Sequence, residues 1–574
     1  QEGLSMPATD TEALGLIDEV LDSYCRANPV WATYSGFRDY DGALPDLRAE
    51  ARQEWLEARK DFARRLKEVL EDGEGLSRDA RLDLDFLKRK LEMEVSLEEA
   101  TRPAERNPTL APKSALYGLY FLTLRPFGDE GERAARLSER LRGVPALLEE
   151  GARQLVEPAE VPPLWVTVAR QLVQGGNAFI AAVVPAVASE APSLASDLDR
   201  ASAVARDSLE MYGLFLDNLA ERAAGDFAVG EALFDSICQD FHGLGHRAGD
   251  LVAIGHDAID QTKAALTEEA RLIEAGEDWE SVAERFQADV VEPSEVLPLY
   301  RDQMERARQF VEERDLATIP EDERLEIVPT PPFARVIIPY AAYIPPGAFE
   351  ADQTGYFWVT PVDEADPKVR SERLRGHCPT KAQVTALHEA YPGHHLQFTR
   401  ANRLAWPVRK LFSSTVLVEG WALYCEELMY EEGFYTEPGM RFMELLGQLW
   451  RDCRVVIDAS LHTRQMMPEQ AVEMLVSVAK LSRTNAEAEV RRYTLSPTQP
   501  MSYHMGKREL LFLRTAYRQL LGDRFDLKAF HDKLLDFGSL PLPTIRDAML
   551  EDARGQASGG GVGVPPWVRL GRTD

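Results

Sequence analysis

Three histidines and a glutamate lie within eight residues of one another, at His388, Glu389, His394 and His395 in Ala386-Leu387-His388-Glu389-Ala390-Tyr391-Pro392-Gly393-His394-His395-Leu396-Gln397. About two dozen residues later comes Val418-Glu419-Gly420-Trp421-Ala422. A His-Glu pair, a returning histidine and a downstream acid are the parts of a hydrolytic zinc site. Catalytic zinc takes three protein N or O ligands and keeps one position for water, and a neighbouring carboxylate removes that water's proton. In the usual His-Glu-x-x-His helix the two histidines stand at i and i+4 on one face. Here they return at i+6 and i+7, which on a straight helix lies roughly 9–10 Å along the axis at 1.5 Å per residue. Bonds of about 2 Å cannot close over that span. Pro392 and Gly393 offer the remedy, because proline interrupts a helix and glycine tolerates unusual backbone angles. Two looped-out residues put His394 where i+4 normally sits. This reading assigns His388, His394 and Glu419 as metal ligands and Glu389 as general base, with His395 the rival of His394. Two histidines and a glutamate beside a base favour Zn2+, one per chain.

With these residues on the page, the chain resembles the metallopeptidase-like family called domain of unknown function 885. Its hallmark, His-Glu-x-x-Pro-Gly-His-His-x-Gln followed by Glu-Gly-Trp-Ala, matches residues 388–397 and 419–422. Further matches are Tyr343-Ile344-Pro345-Pro346, Gly355-Tyr356-Phe357-Trp358-Val359, Asp458 with His462, Glu489-Val490-x-Arg492-Tyr493, Gln499 and Tyr503-x-x-Gly506. The resemblance covers most of the chain and is loose over its first third. It implies distant kinship with the all-helical zinc peptidases that include angiotensin-converting enzyme, oligopeptidases and dipeptidyl peptidase III. From that kinship follow a mainly α, zincin-like fold, a glutamate as third ligand, a small β-sheet near the active site, and a cleft or channel that favours short peptides. The resemblance also implies that Tyr503 donates to the oxyanion that develops on the scissile carbonyl. Residues 355–360 read either as the edge strand that pairs with the substrate backbone or as a simple structural strand.

Other chemistry-bearing residues divide between site and scaffold. Glu426 shares a helix face with Glu419 and reads either as an outer partner for a ligand histidine or as a solvated glutamate. Asp458 and His462, at i and i+4, are spaced to hydrogen-bond to each other, and read either as outer partners of the site or substrate-binding groups, or as a structural histidine capped by an aspartate. Arg492 and Lys507 are candidates for receiving a substrate carboxylate, which makes exopeptidase action plausible. Trp421 and Tyr424 read as core. His242 and His246 have ligand spacing, but two intervening glycines and the lack of an acid make that stretch a loop or helix end.

The elements that must position these residues are chiefly helices. Leu14, Ile17, Val20 and Leu21 form one apolar stripe, and Leu209, Tyr212, Leu216 and Leu219 another. Residues 8–320 read as largely helical, with breaks near Asn107-Pro108, Glu160–Pro163 and Ala191-Pro192. Arg335-Val336-Ile337-Ile338 and Tyr356-Phe357-Trp358-Val359 are rich in β-formers and suggest a small sheet. Thr380 with Gln383 fits a capping box for a helix that starts just after Pro379 and carries His388, and a further helix is expected from about Thr415 to Glu432. The expected organisation is a flexible N-terminus over 1–10, a helical region over 11–325, a catalytic region over 326–554 and a flexible tail over 555–574.

At 574 residues, 45% of them hydrophobic, the chain can fill more than one core. Its 95 acidic and 65 basic residues give a net charge of −30, which argues against nucleic acid or an anionic membrane as partner. Five scattered cysteines, the lack of a basic-then-apolar leader and the lack of a bilayer-length apolar run point to a cytoplasmic protein. The sequence leaves oligomeric state open. The expected function is zinc-dependent hydrolysis of peptide bonds in short peptides. Hydrolysis of a non-peptide amide or a γ-linked amino-acid conjugate would use the same machinery, and a metal-stabilised binding protein is the non-enzymatic alternative.

Overall fold

The structure, a computed structural model, describes residues 8–558 apart from 72, 74, 336, 337, 339 and 364. Residues 1–7 and 559–574, which make up most of the two expected flexible ends, lie outside the described residues, as do Val336 and Ile337 of the expected strand. Residues 8–10 open the first helix, Ala8–Ala27, and residues 555–558 close the last, Leu542–Ser558, so these stretches are helical rather than flexible.

Helices dominate the described residues because apolar side chains recur at helical spacing and the ends carry stop and start signals. Arg78–Thr101 shows the pattern. Ser77 caps it by accepting the Ala80 N–H at 3.2 Å, and Ala80, Leu84, Leu87 and Leu91 form its buried stripe. The helix ends where Arg102 takes a left-handed conformation (φ 44°) ahead of Pro103. The expected breaks fall between Pro103–Arg106 and Leu110–Leu124, between Glu130–Gln154 and Pro163–Glu190, and between Pro163–Glu190 and Ala195–Ala220. Pro163–Glu190 is long and apolar enough to span a bilayer by length and composition. Its face bearing Val166, Leu172, Val173, Ile180 and Val184 is buried in one of the protein's cores.

Three strands form one sheet of order β1-β3-β2, with β1 at Glu323–Pro329, β2 at Ala341–Ile344 and β3 at Gln353–Val359. β1 runs parallel to β3, pairing Glu323 with Gln353, and β2 runs antiparallel, pairing Tyr343 with Phe357. Side chains of a strand alternate between faces, so Tyr356 and Trp358 enter one core while Phe357 and Val359 enter another. Two expectations change. Arg335 and Ile338 are not in a strand. Residues 355–359 form the central strand, hydrogen-bonded on both sides, so an open edge belongs to β2 instead.

Each of the three hydrophobic cores draws on residues from both sides of the expected division at 325 and 326, which falls inside β1. The first core joins the N-terminal helices to Thr415–Glu431 and Ser502–Leu521, and the third joins Ala248–Ile273 to Pro438–His462. The helices that carry the chemistry are therefore clamped by packing along most of the chain.

Candidate metal centre

His388 and Glu389 are the last two residues of helix Pro379–Glu389. That helix starts where expected, but Cys378 is its N-cap and no side chain caps it. Thr380 lies 3.7 Å from the Cys378 sulfur instead of closing a capping box. After Ala390 the chain turns through a cis Tyr391–Pro392 bond, and a new helix, His394–Ala401, begins at the second histidine. The interruption is thus a stop and restart rather than two residues bulged from a continuous helix. Gly393 permits it, because a Cβ there would sit 1.9 Å from the His388 carbonyl oxygen. Trp421 pins the turn by donating its indole N–H to the Pro392 carbonyl at 2.8 Å.

Glu419 comes from helix Thr415–Glu431, which lies against Ser502–Leu521 at Gly420 and Gly506. A Cβ on Gly420 would be 2.4 Å from the Gly506 Cα. Only glycines let the two backbones approach so closely, and that approach brings Tyr503 to the side of Glu419.

His388, His394 and Glu419 offer ligand atoms that all lie within 4.8 Å of one another. Glu419 Oε2 is 3.5 Å from His388 Nε2 and 3.2 Å from His394 Nε2. For metal–ligand bonds of about 2.0–2.1 Å in a tetrahedron, ligand atoms stand about 3.3–3.4 Å apart, and these two separations are close to that value. Glu419 Oε2 is buried, its polar neighbours among the described residues are His388 Nε2 and His394 Nε2, and a cation can fill the remaining capacity of this oxygen. Burial opposes the Glu419 charge, yet contacts with His388 and His394 outweigh it and hold the carboxyl well below the usual range. Burial likewise opposes a charged His388, but Glu419 and Glu426 lift the imidazole to about 9. The cluster therefore calls for positive charge, and the donor set fits a divalent metal such as zinc.

Glu426 is fully buried and accepts from His388 Nδ1 at 2.8 Å. This overturns the solvated alternative and leaves Nε2 of His388 facing the cluster, the arrangement by which outer carboxylates orient ligand histidines. His395 is committed elsewhere: Nε2 contacts Glu323 and Nδ1 lies 2.9 Å from the Tyr343 hydroxyl. Both of its ring nitrogens are thereby used in fastening the second helix to the sheet.

The cluster opens on a cavity of about 420 Å³, lined also by Glu389, Tyr503, Tyr343 and β2 residues Ala341 and Ala342. Burial raises the Glu389 carboxyl pKa, which suits a general base working near neutrality. The Tyr503 ring stacks on His388, with centroids 5.9 Å apart. Gln499 donates to both Glu419 (3.0 Å) and the Tyr503 hydroxyl (3.3 Å), tying ligand and tyrosine together.

Other expected residues have different fates. Arg492 lines the cavity. Lys507 is spent on Glu427 at 2.6 Å and Glu444 at 3.7 Å, so it is not free to receive a substrate carboxylate. Asp458 and His462 stay 3.9 Å apart. Asp458 accepts the Thr498 and Met501 N–H groups, and His462 Nε2 pairs with the Tyr493 carbonyl, so both hold the loop before Tyr503 rather than the site itself. His242 sits in a turn, within hydrogen-bonding distance of Ser414 and Thr498. Lys381, Arg451 and Arg454 line the cavity without having been singled out in the sequence. Their spacing on helices is that of ordinary surface cations, and only packing turns them inward.

A model for a family of bacterial proteins of unknown function, DUF885, matches residues 29–549. No curated protein matches the chain. Two solved structures share the fold. One is described as a candidate lipoprotein of unknown function from Shewanella oneidensis, with TM-score 0.74 and 24% identity over 95% of this chain and 100% of that one. The other is described as a candidate lipoprotein from Colwellia psychrerythraea, with TM-score 0.71 and 17% identity over 95% of this chain and 99% of that one.

Proposed function

This chain belongs to the DUF885 family, and we propose that it is a zinc-dependent metallopeptidase that hydrolyses peptide bonds of short peptides. The observation that carries this reading is that His388, His394 and Glu419 offer ligand atoms within 4.8 Å of one another, beside a Glu389 carboxyl whose pKa is raised. His388, His394 and Glu419 hold the metal, which when bound supplies Lewis acidity toward water and the scissile carbonyl. Glu389 takes the proton of the attacking water and passes it to the leaving amine. Tyr503, held by Gln499, donates its hydroxyl to the oxyanion that develops on the carbonyl. The open edge of β2 offers backbone groups to an extended substrate, and the 420 Å³ cavity suits a few residues better than a folded protein. A zincin-like kinship belongs to the same proposal.

The compartment is a separate matter. All five cysteines are buried, and burial lifts Cys25 to about 12 and Cys238 well above the ordinary thiol range. Such thiols resist oxidation in any compartment, so their number does not argue for the cytoplasm. The lipoprotein descriptions of the two structural relatives favour export or membrane anchoring over the cytoplasmic expectation, and fractionation of cells expressing the full-length gene decides between them.

Zinc content and cleavage of a mixed peptide library, measured on wild type, His394→Ala, His395→Ala and Glu389→Gln, test the function. Wild type and His395→Ala should carry near-stoichiometric zinc, and His394→Ala should lose it. Glu389→Gln should keep zinc but lose cleavage by about 10²–10⁴-fold. Wild type prepared with zinc available yet free of metal sinks the reading.

A further inference from the structure

In a chain of net charge −30, the wall of the candidate site is unusually basic. Four cations line the cavity, Lys381, Arg451, Arg454 and Arg492, against three carboxylates, Glu389, Glu419 and Glu489. Of those carboxylates, Glu419 points at the two histidines. Glu489 is shared, 3.1 Å from Arg454 and 2.9 Å from Arg492. Arg451 lies 3.5 Å from Glu426, itself already paired with His388. Lys381 rests 3.7 Å from the centre of the Tyr340 ring, and no ion pair to it is found among the described residues. Arg454 is only 4% exposed, and its Nη1 has no hydrogen-bond partner. Arg454 is thus a buried guanidinium that shares its counterion, Glu489, with Arg492, and a buried guanidinium N–H left without an acceptor is costly. A metal ion at the three ligands would increase the excess of positive charge. The missing element is an anion.

Tyr503 bounds the distance between this wall and the histidines. Its ring centre is 5.9 Å from that of His388 and 4.4 Å from the Arg454 guanidinium carbon. The guanidinium therefore lies within roughly 10 Å of the His388 ring, and extended chain advances about 3.3–3.6 Å per residue. A terminal carboxylate meeting this wall would leave a bond one or two residues away beside Glu389.

We infer that Lys381, Arg451, Arg454 and Arg492 form a subsite for the substrate's C-terminal carboxylate, so that the enzyme removes one or two residues from the C-terminal end of short peptides. This inference rests on the proposed peptidase reading, but the subsite can be tested apart from it. Guanidinium groups accept a carboxylate through paired N–H donors, and the aromatic rings of Tyr340 and Trp450 keep the Lys381 ammonium in place.

The test compares peptides with a free C-terminus, the same peptides as C-terminal amides, and amidated peptides carrying an internal Asp or Glu. Free-acid peptides should release a single amino acid or a dipeptide, identified by mass spectrometry, and amidation should raise KM at least ten-fold. Lys381→Gln and Arg454→Gln should each raise KM for free acids while leaving KM for amides nearly unchanged, a selectivity that a general loss of structure would not produce. Equal KM for acids and amides with cleavage intact overturns the subsite and leaves the peptidase reading standing. Dependence on an internal acidic side chain overturns the C-terminal assignment. Should no peptide be cleaved, calorimetry with N-acetyl-dialanine and its amide still decides: binding of the acid alone sustains the subsite, and binding of neither, or of both equally, overturns it.

Discussion

His388 is held between two carboxylates, Glu426 on Nδ1 and Glu419 beside Nε2, whereas His395 is spent on Glu323 and Tyr343. Adjacent in sequence, His394 and His395 differ in surroundings because consecutive residues in a first helical turn point about 100° apart. Asp458 shows the same dependence on context. Burial lifts its carboxyl to about 8, against the pull of N–H donors from Met501 and Thr498. An acid whose folded pKa exceeds its unfolded value of about 3.9 contributes stability that is complete below that value and is lost as pH rises through about 8. Thermal melts of wild type should therefore fall between pH 4 and pH 8 more steeply than those of Asp458→Asn. The variant loses one acceptor and should be less stable at acidic pH, yet flatter across the window. Parallel slopes would remove Asp458 as the source of the pH dependence.

At the scale of elements, the site depends on where helices stop and how closely they approach. The Pro-Gly interruption was legible as a break that returns a histidine to the side of His388. Whether it bulged or restarted was not, since that choice depends on the Trp421 indole holding the Pro392 carbonyl from another helix. Gly506 sets the second contact: a Cβ there would meet the Val416 carbonyl oxygen at 2.0 Å and the Gly420 Cα at 2.5 Å. Gly506→Ala should part the Glu419 and Tyr503 helices, cost about 1–3 kcal/mol in denaturant unfolding, and lower peptide cleavage more than it lowers zinc content. Gly249→Ala, with nothing within 4 Å of the new methyl, should be neutral or slightly stabilising in its helix. The sheet carries the opposite lesson. Tyr356-Phe357-Trp358-Val359 announced a strand, but a near-continuous apolar run is the pattern of a central, doubly covered strand, and the edge fell to the four-residue β2.

For the whole molecule, the three proposed ligands come from three helices that converge where packing from the N-terminal and C-terminal parts meets, so the proposed metal binding would be linked to global stability. Zinc at 100 times its dissociation constant adds about 2.7 kcal/mol to the folded state. Chelation should lower the unfolding midpoint of zinc-loaded wild type and leave that of His394→Ala unmoved. An unshifted wild-type midpoint would mean that the three ligands do not hold metal in the folded protein. By itself the sequence determined the helical class, the family resemblance, the candidates His388, Glu389 and Glu419 with either His394 or His395, and the Pro-Gly break, because periodicity and donor spacing are local properties written in residue order. Tertiary structure alone brought His394 rather than His395 to His388 and Glu419, buried Glu426, withdrew Lys507, moved the open strand edge to β2 and turned Lys381, Arg451 and Arg454 inward. Those outcomes depend on which side chains meet across the cores, and contacts between residues far apart in the chain leave no spacing for a sequence to display.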